Sequence, residues 1–299
     1  IYRPHVILAV TNDIPDFINA LKVQIFHGFL THKRPEKKTE SHFRIRGFFD
    51  LYCTQGPSTT SVFKTLSKKL KHFEVAETGW SKVDPLFPIV KREFHSSPTV
   101  MVASTFTKRL SLAYNDAVIK KIKDLSESGL FKFIVVLHPK IPKEIIDRWK
   151  NAQNNNLRYE NTTDLIPLFK KTDVMLADTT SAIQEYLLQK KPVVTFRHNV
   201  KRNYLVQIED VEDIEYALKK ALEYPAQLLD NINKFTKELH PYEDGKSSAR
   251  VIEACIDLLT KDTSHMKTKP WNFIRKYKIR KRLRTFTLKS FNRPFKPKM

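Results

Sequence analysis

The stretches FKFIVVLHPK (131–140) and KTDVMLADTTSAIQEYLLQKKPVVTF (171–196) decide the fold. The first carries an apolar run, 133–137, that stops on His138-Pro139. The second carries another, 173–177, that stops on Asp178-Thr179-Thr180-Ser181 before a helical pattern over 180–189. Continuous rather than alternating apolar runs suit strands covered on both faces, as in a parallel sheet flanked by helices. Ligands of such sheets bind outside the carboxyl ends of the strands. A histidine and a hydroxyl cluster at two of these ends therefore mark a candidate site.

Working outward, strands are expected at 99–105, near 157–159 and at 191–196, with helices at about 112–128, 142–151, 163–170, 211–222, 225–238 and 247–261. Strand–helix alternation of this kind predicts an α/β fold with right-handed crossovers. Before it lie apolar runs at 4–10, 22–28, 48–54 and 73–79, with helices through about Leu21 and from Ser58. That block reads as a similar lobe that is incomplete, its missing part upstream of Ile1. Residues 85–98, with three prolines and two serines, read as a linker. The expected layout is a first lobe over 1–90, a nucleotide-donor lobe over 91–262, and a tail over 263–299.

With 41% hydrophobic and 28% charged residues, the 299-residue chain has the composition of a globular protein with a core. No apolar run is long enough to predict a spanning helix. Cys53 and Cys255 stand far apart in no ligand-like spacing, so both read as small core fillers and no metal site is expected. The net charge of +21 is uneven: residues 263–299 hold thirteen Lys and Arg and no acid. Basicity is thus mostly a property of the tail, and speaks to location more than to chemistry.

A helix N-terminus offers free N–H groups and a partial positive charge to phosphate. Thr179, Thr180 and Ser181 would add hydroxyl donors there, although one of them, or Asp178, could serve only as a cap. The stretch has no glycine, which excludes both the dinucleotide fingerprint and the Walker loop. His138 shares that sheet edge, and Pro139 fixes the departing chain. His27-Gly28 ends a strand of the first block, with Gly28 expected to permit a tight turn. One histidine per lobe at facing strand ends suggests a base on an acceptor and a group supporting phosphate. His32, His42, His95 and His198 read as surface or loop residues.

The ordered motifs FHG (26–28), FDLYCTQGPSTTSVF (49–63), TGWSKVDPLF (78–87), LHP (137–139), the 163–196 block and YEDGKSSARVIE (242–253) resemble the CDP-glycerol glycerophosphotransferase family of teichoic acid and capsule polymer enzymes. The resemblance covers about residues 20–260. It implies a GT-B fold: two Rossmann-like lobes with parallel sheets and an intervening cleft. It also implies a peripheral enzyme on the cytoplasmic face of the membrane. By this resemblance His27 and His138 are the catalytic pair, His27 as base and His138 as donor to the diphosphate. Asp178, Thr179, Thr180, Ser181, Lys246, Arg250 and Arg109 would bind the donor's phosphates or nucleotide, with Gly28, Pro139 and Gly245 shaping turns. Phe26 replaces the family's Trp, and Thr107 stands where the family often has Arg, so Lys108 or Arg109 would substitute.

The activity so implied transfers a polyol-phosphate from a CDP-linked donor to a hydroxyl of a lipid-linked or polymer acceptor, releasing CMP. No tightly bound cofactor is expected, and a Mg²⁺ requirement is left open. The alternatives are a GT-B sugar transferase or epimerase-like enzyme using a UDP-sugar, and a non-catalytic nucleotide-binding protein. Residues 267–299 interleave aromatics with cations, which favours an anionic membrane surface as partner over nucleic acid. Phe273, Ile274 and Tyr277 fall opposite Ile279, Leu283 and Phe286 on a helical wheel, so no clean amphipathic helix is expected there.

Overall fold

The structure is a computed structural model that describes residues 3–30, 42–89 and 97–285. The chain forms two compact units, one of Ile1–Asp84 with Lys237–Met299 and one of Pro85–Thr236. The sequence reading closes the second lobe at 262. In the structure the described residues from Lys237 onward group with the first unit instead.

The second unit is built on strands β5 (Thr99–Ser104), β6 (Lys132–Leu137), β7 (Leu157–Tyr159), β8 (Val174–Ala177), β9 (Val193–Phe196) and β10 (Val206–Ile208). They pair in parallel in the order β10-β9-β8-β5-β6-β7. The chain runs outward from β5 through β6 to β7, then crosses back to place β8 on the other side of β5. The C-terminal ends of β5 and β8 thereby form the switch point at which such sheets bind ligands. β8 and β9 are wholly buried, as their unbroken apolar runs require. Helices α2 (Asp116–Glu127) and α3 (Lys143–Asn151) cover one face. Asn115 caps α2 by accepting from the Ala117 and Val118 N–H groups. Val118, Ile122 and Leu125 of α2 and Ile145 and Trp149 of α3 meet Val100, Val102, Phe133 and Val135 of the sheet. β10 was not read from the sequence because three residues following a polar loop leave no periodic signal.

The first unit holds strands β1 (Val6–Ala9), β2 (Leu21–Gln24), β3 (Leu51–Thr54) and β4 (Glu74–Glu77), parallel and in that spatial order. Both faces of this sheet need cover. Helix α1 (Pro57–Leu70) brings Phe63 to Phe26, Tyr52 and Phe73 on one face. The other is covered by α8 (Ser247–Thr260), whose Val251, Cys255 and Leu258 meet Leu21, Val23, Leu51 and Cys53. A helix over 247–261 is expected from the sequence, but a helical pattern does not say which sheet it covers. Both cysteines are free and buried in this contact, and burial pushes the Cys255 thiol up to about 11. Residues 11–20 form no helix, contrary to the expected one ending at Leu21. Pro15 interrupts that run, and Asp16 is drawn into an ion pair instead.

That ion pair corrects the reading of the tail. Helix α9 (Phe273–Arg282) buries Lys276, Ile279 and Arg280. Arg280 Nη2 donates to Asp16 Oδ2 at 2.7 Å, with only 3% and 4% of the two side chains exposed. Lys269 donates to Asp50 at 2.5 Å and to the Phe48 carbonyl at 3.0 Å. Asn272 Nδ2 bonds the Arg46 carbonyl at 2.6 Å. Residues 267–285 are therefore docked on the first unit rather than appended to it. Of the cations assigned to a membrane surface, Lys276 and Arg280 are buried inside it and Lys269 is half-buried against it. Residues 286–299 lie outside the described residues.

Candidate active site

In the second unit the β8 end is organised around Asp178, but not as expected. Its carboxylate is fully buried. It accepts from the Ser104 hydroxyl, from the Thr105 N–H at 3.0 Å and from the Leu112 N–H at 3.0 Å. Ser104 in turn shares a 2.7 Å hydrogen bond with Ser111. Asp178 thus ties the loop after β5 to the end of β8, its buried oxygens satisfied by these donors. It positions the switch point and does not present oxygens to a nucleotide.

The hydroxyls follow it in sequence. Thr179 Oγ1 is buried with no hydrogen-bond partner among the described residues, Thr180 Oγ1 accepts from the Ala182 N–H at 3.4 Å, and Ser181 is exposed. The helix behind them, α5 (Ala182–Leu187), is shorter than the 180–189 span expected. Thr180 and Ser181, inside the expected span, precede the helix, with Ser181 as its N-cap. Arg109 is exposed on a 3₁₀ turn, Lys108–Leu110, of the loop that Asp178 anchors.

His138 follows β6, one strand from β8 across β5. Its Nδ1 accepts the Lys140 N–H at 3.1 Å. An accepting Nδ1 carries no proton, so the neutral ring holds its proton on Nε2 and is a hydrogen-bond donor there. The ring packs on Phe106 with centroids 4.6 Å apart, and Lys140 Nζ lies 5.2 Å from the centre of the same Phe106 ring. Phe106, 41% exposed, was missed. Its signal was register: Ser104 pairs with Leu137, so Thr105 and Phe106 leave the sheet edge beside His138 and Pro139.

In the first unit His27 lies beyond β2 and is exposed. Its Nδ1 is 3.1 Å from the Val10 carbonyl. A carbonyl only accepts, so Nδ1 carries the proton and Nε2 of the neutral ring keeps a lone pair. His27 and His138 therefore have opposite tautomers. The turn expected at Gly28 is made by Phe26, whose φ is +56°. For a side chain as bulky as Phe this costs about 1–2 kcal/mol. A Cβ built on Gly28 meets nothing within 4 Å, so no close approach within the chain demands glycine there.

The DGK element belongs to the first unit and is occupied by internal contacts. Gly245 has a φ of +67° and leads into Lys246, the N-cap of α8. The first N–H groups of α8 are already satisfied: Ser247 and Ser248 donate to the Asp84 carboxylate at 2.9 and 2.8 Å. Arg250 makes a two-pronged ion pair with Asp244 and stacks 3.8 Å over the Tyr242 ring. The Asp244 pairing holds the guanidinium above its ordinary pKa and, reciprocally, the carboxyl below its own. Arg250 is thus engaged inside this unit, whereas the Lys246 side chain is exposed. Among the described residues no group of three or more His, Cys, Asp or Glu is placed to hold a metal ion.

Solved structures similar to this chain share its fold. One is the wall teichoic acid polymerase TagF, at a TM-score of 0.53 and 14% identity over 80% of this chain and 68% of that one. A second is S. aureus MnaA in a co-structure with UDP, at 0.55 and 15% over 84% and 72%. A third is a putative UDP-N-acetylglucosamine 2-epimerase from Listeria monocytogenes, at 0.54 and 13% over 82% and 70%. No curated protein matches the chain by sequence. The fold is thus of GT-B type, with two Rossmann-like sheets. Residues 92–256, rather more than half of the chain, match the family model described as UDP-N-acetylglucosamine 2-epimerase, and the chain belongs to that family.

Proposed function

We propose that this chain transfers a polyol-phosphate, of the glycerol-phosphate kind, from a CDP-linked donor to a hydroxyl of a lipid-linked or polymer acceptor. The observation that carries this reading is the pair of strand-end imidazoles with opposite tautomers. His27 Nε2 can take a proton, and His138 Nε2–H can give a hydrogen bond. The acceptor oxygen attacks the polyol-side phosphorus while its proton passes to His27. The bond from that phosphorus to the CMP oxygen breaks, and CMP leaves with the electron pair. Such a reaction needs in-line positioning and charge stabilisation more than covalent participation. His138, Thr180, Ser181 and Arg109 would supply stabilisation at the phosphates, with no resident metal invoked.

The match of residues 92–256 favours a second reading, an epimerase or transferase acting on a UDP-sugar. Calorimetric titration with CDP-glycerol, CDP-ribitol and UDP-N-acetylglucosamine separates the two. The transferase reading expects preference for a cytidine donor, weakened roughly tenfold in His138→Ala by loss of a charge-assisted hydrogen bond. Preference for the uridine donor would move the assignment to the second reading.

The acceptor's membrane would be met by α9. Trp271, Phe273, Ile274 and Tyr277 are 65%, 60%, 68% and 48% exposed, and Lys278, Lys281 and Arg282 are exposed beside them. Aromatics with cations suit an anionic interface on the cytoplasmic side. Sedimentation with phosphatidylglycerol vesicles should be lost in Trp271→Ser/Ile274→Ser. Equal sedimentation of that variant would sink this placement.

A further inference from the structure

We propose that His42 is a positioning residue for His27, acting through Phe26. The inference rests on the reading of His27 as the base. Sequence placed His42 among surface or loop residues, but the structure half-buries it at the end of the aromatic core of the first unit. Its ring lies on that of Phe26 with centroids 5.4 Å apart and planes 20° apart. Phe43 and Phe63 meet the imidazole edge-on at 5.1 and 6.3 Å, and Phe63 also packs on Phe26 at 5.4 Å. Phe26, His42 and Phe63 thus form a triad of mutually packed rings. Its left-handed backbone turns the chain out of β2 so that the next residue, His27, can reach the Val10 carbonyl with Nδ1. A strained conformation persists only where its surroundings over-determine it. Here the stack with His42 is one of the contacts that do so.

The imidazole is held by ring packing rather than by its buried nitrogen. His42 Nε2 is buried and has no hydrogen-bond partner among the described residues. Burial, with the charge of His27 as the lesser cause, pulls His42 down to about 4. His42 therefore stays neutral near neutral pH. That neutrality suits its place, because His27 becomes an imidazolium when it takes the acceptor's proton, and a cation beside it would oppose the transfer.

The test uses the full chain labelled with ¹⁵N-histidine, in which imidazole nitrogen shifts report tautomers and His27→Gln assigns the His27 signals. Wild type should show His27 protonated on Nδ1. His42→Ala should mix the His27 tautomers and lower kcat by at least about tenfold with donor KM nearly unchanged, as expected when a reacting group is misplaced. His42→Phe, which keeps the stack and removes the unpaired nitrogen, should restore the tautomer and return kcat to within about threefold of wild type. An unchanged His27 tautomer in His42→Ala would overturn the inference, and so would a His42→Phe variant as impaired as His42→Ala. A tautomer shift in His42→Ala without transferase activity in wild type would support the positioning role while removing the transferase reading, so the two fail separately.

Discussion

His27→Gln is expected to lower the rate of CMP release by about 10²–10⁴-fold, the usual worth of a positioned general base. Donor affinity should change by less than about twofold, because the proposed donor contacts lie on the other unit. Glutamine keeps a hydrogen-bonding side chain of similar size but cannot accept a proton at neutral pH. The observation behind this expectation is local: the Val10 carbonyl holds the Nδ1 proton, so the lone pair stands on Nε2. Steady-state rates and calorimetry on the same preparation check it. A variant with nearly wild-type turnover would remove His27 from the chemistry, whereas a collapse in donor affinity would reassign it to binding.

Arg280→Met is expected to destabilise the first unit by about 3–5 kcal/mol, since it leaves the Asp16 carboxylate buried without its partner. The pair is deep, with both side chains almost fully enclosed, so solvent does not screen the loss. Asp16→Leu combined with Arg280→Met should recover most of it, because replacing both charges with apolar groups removes the unpaired ion. Urea unfolding measures all three proteins, taking the midpoint and slope together. A single variant within about 1 kcal/mol of wild type would mean that α9 contributes little to the unit, contrary to its burial.

Much of this fold was legible because parallel sheets write themselves as apolar runs. The runs at 99–105, 173–177 and 191–196 became β5, β8 and β9 almost residue for residue. What was not legible depends on partners distant in sequence. Nothing near Asp16 announces Arg280, 264 positions away, so a docked helix read as a basic tail. Likewise the helical pattern over 247–261 could not name its sheet. At the candidate site, strand ends placed His27, His138 and Asp178 at sheet edges, but polarity alone did not tell a ligand-facing carboxylate from one consumed inside. Asp178 and Arg250 are both engaged internally. The role of His42 depends on a stack with Phe26 that no spacing rule predicts. The resemblance to CDP-glycerol enzymes and the match to the 2-epimerase family meet in one GT-B fold, and a shared fold does not choose between their chemistries.

The choice is made most directly by incubating the full chain with CDP-glycerol and a lipid-linked glycerol-phosphate acceptor, and in parallel with UDP-N-acetylglucosamine, and identifying the nucleotide and sugar products. The transferase account predicts CMP formed one-for-one with new phosphodiester on the acceptor, and no change in the uridine substrate. Conversion of UDP-N-acetylglucosamine to its 2-epimer or to free UDP, with CDP-glycerol untouched, would contradict it.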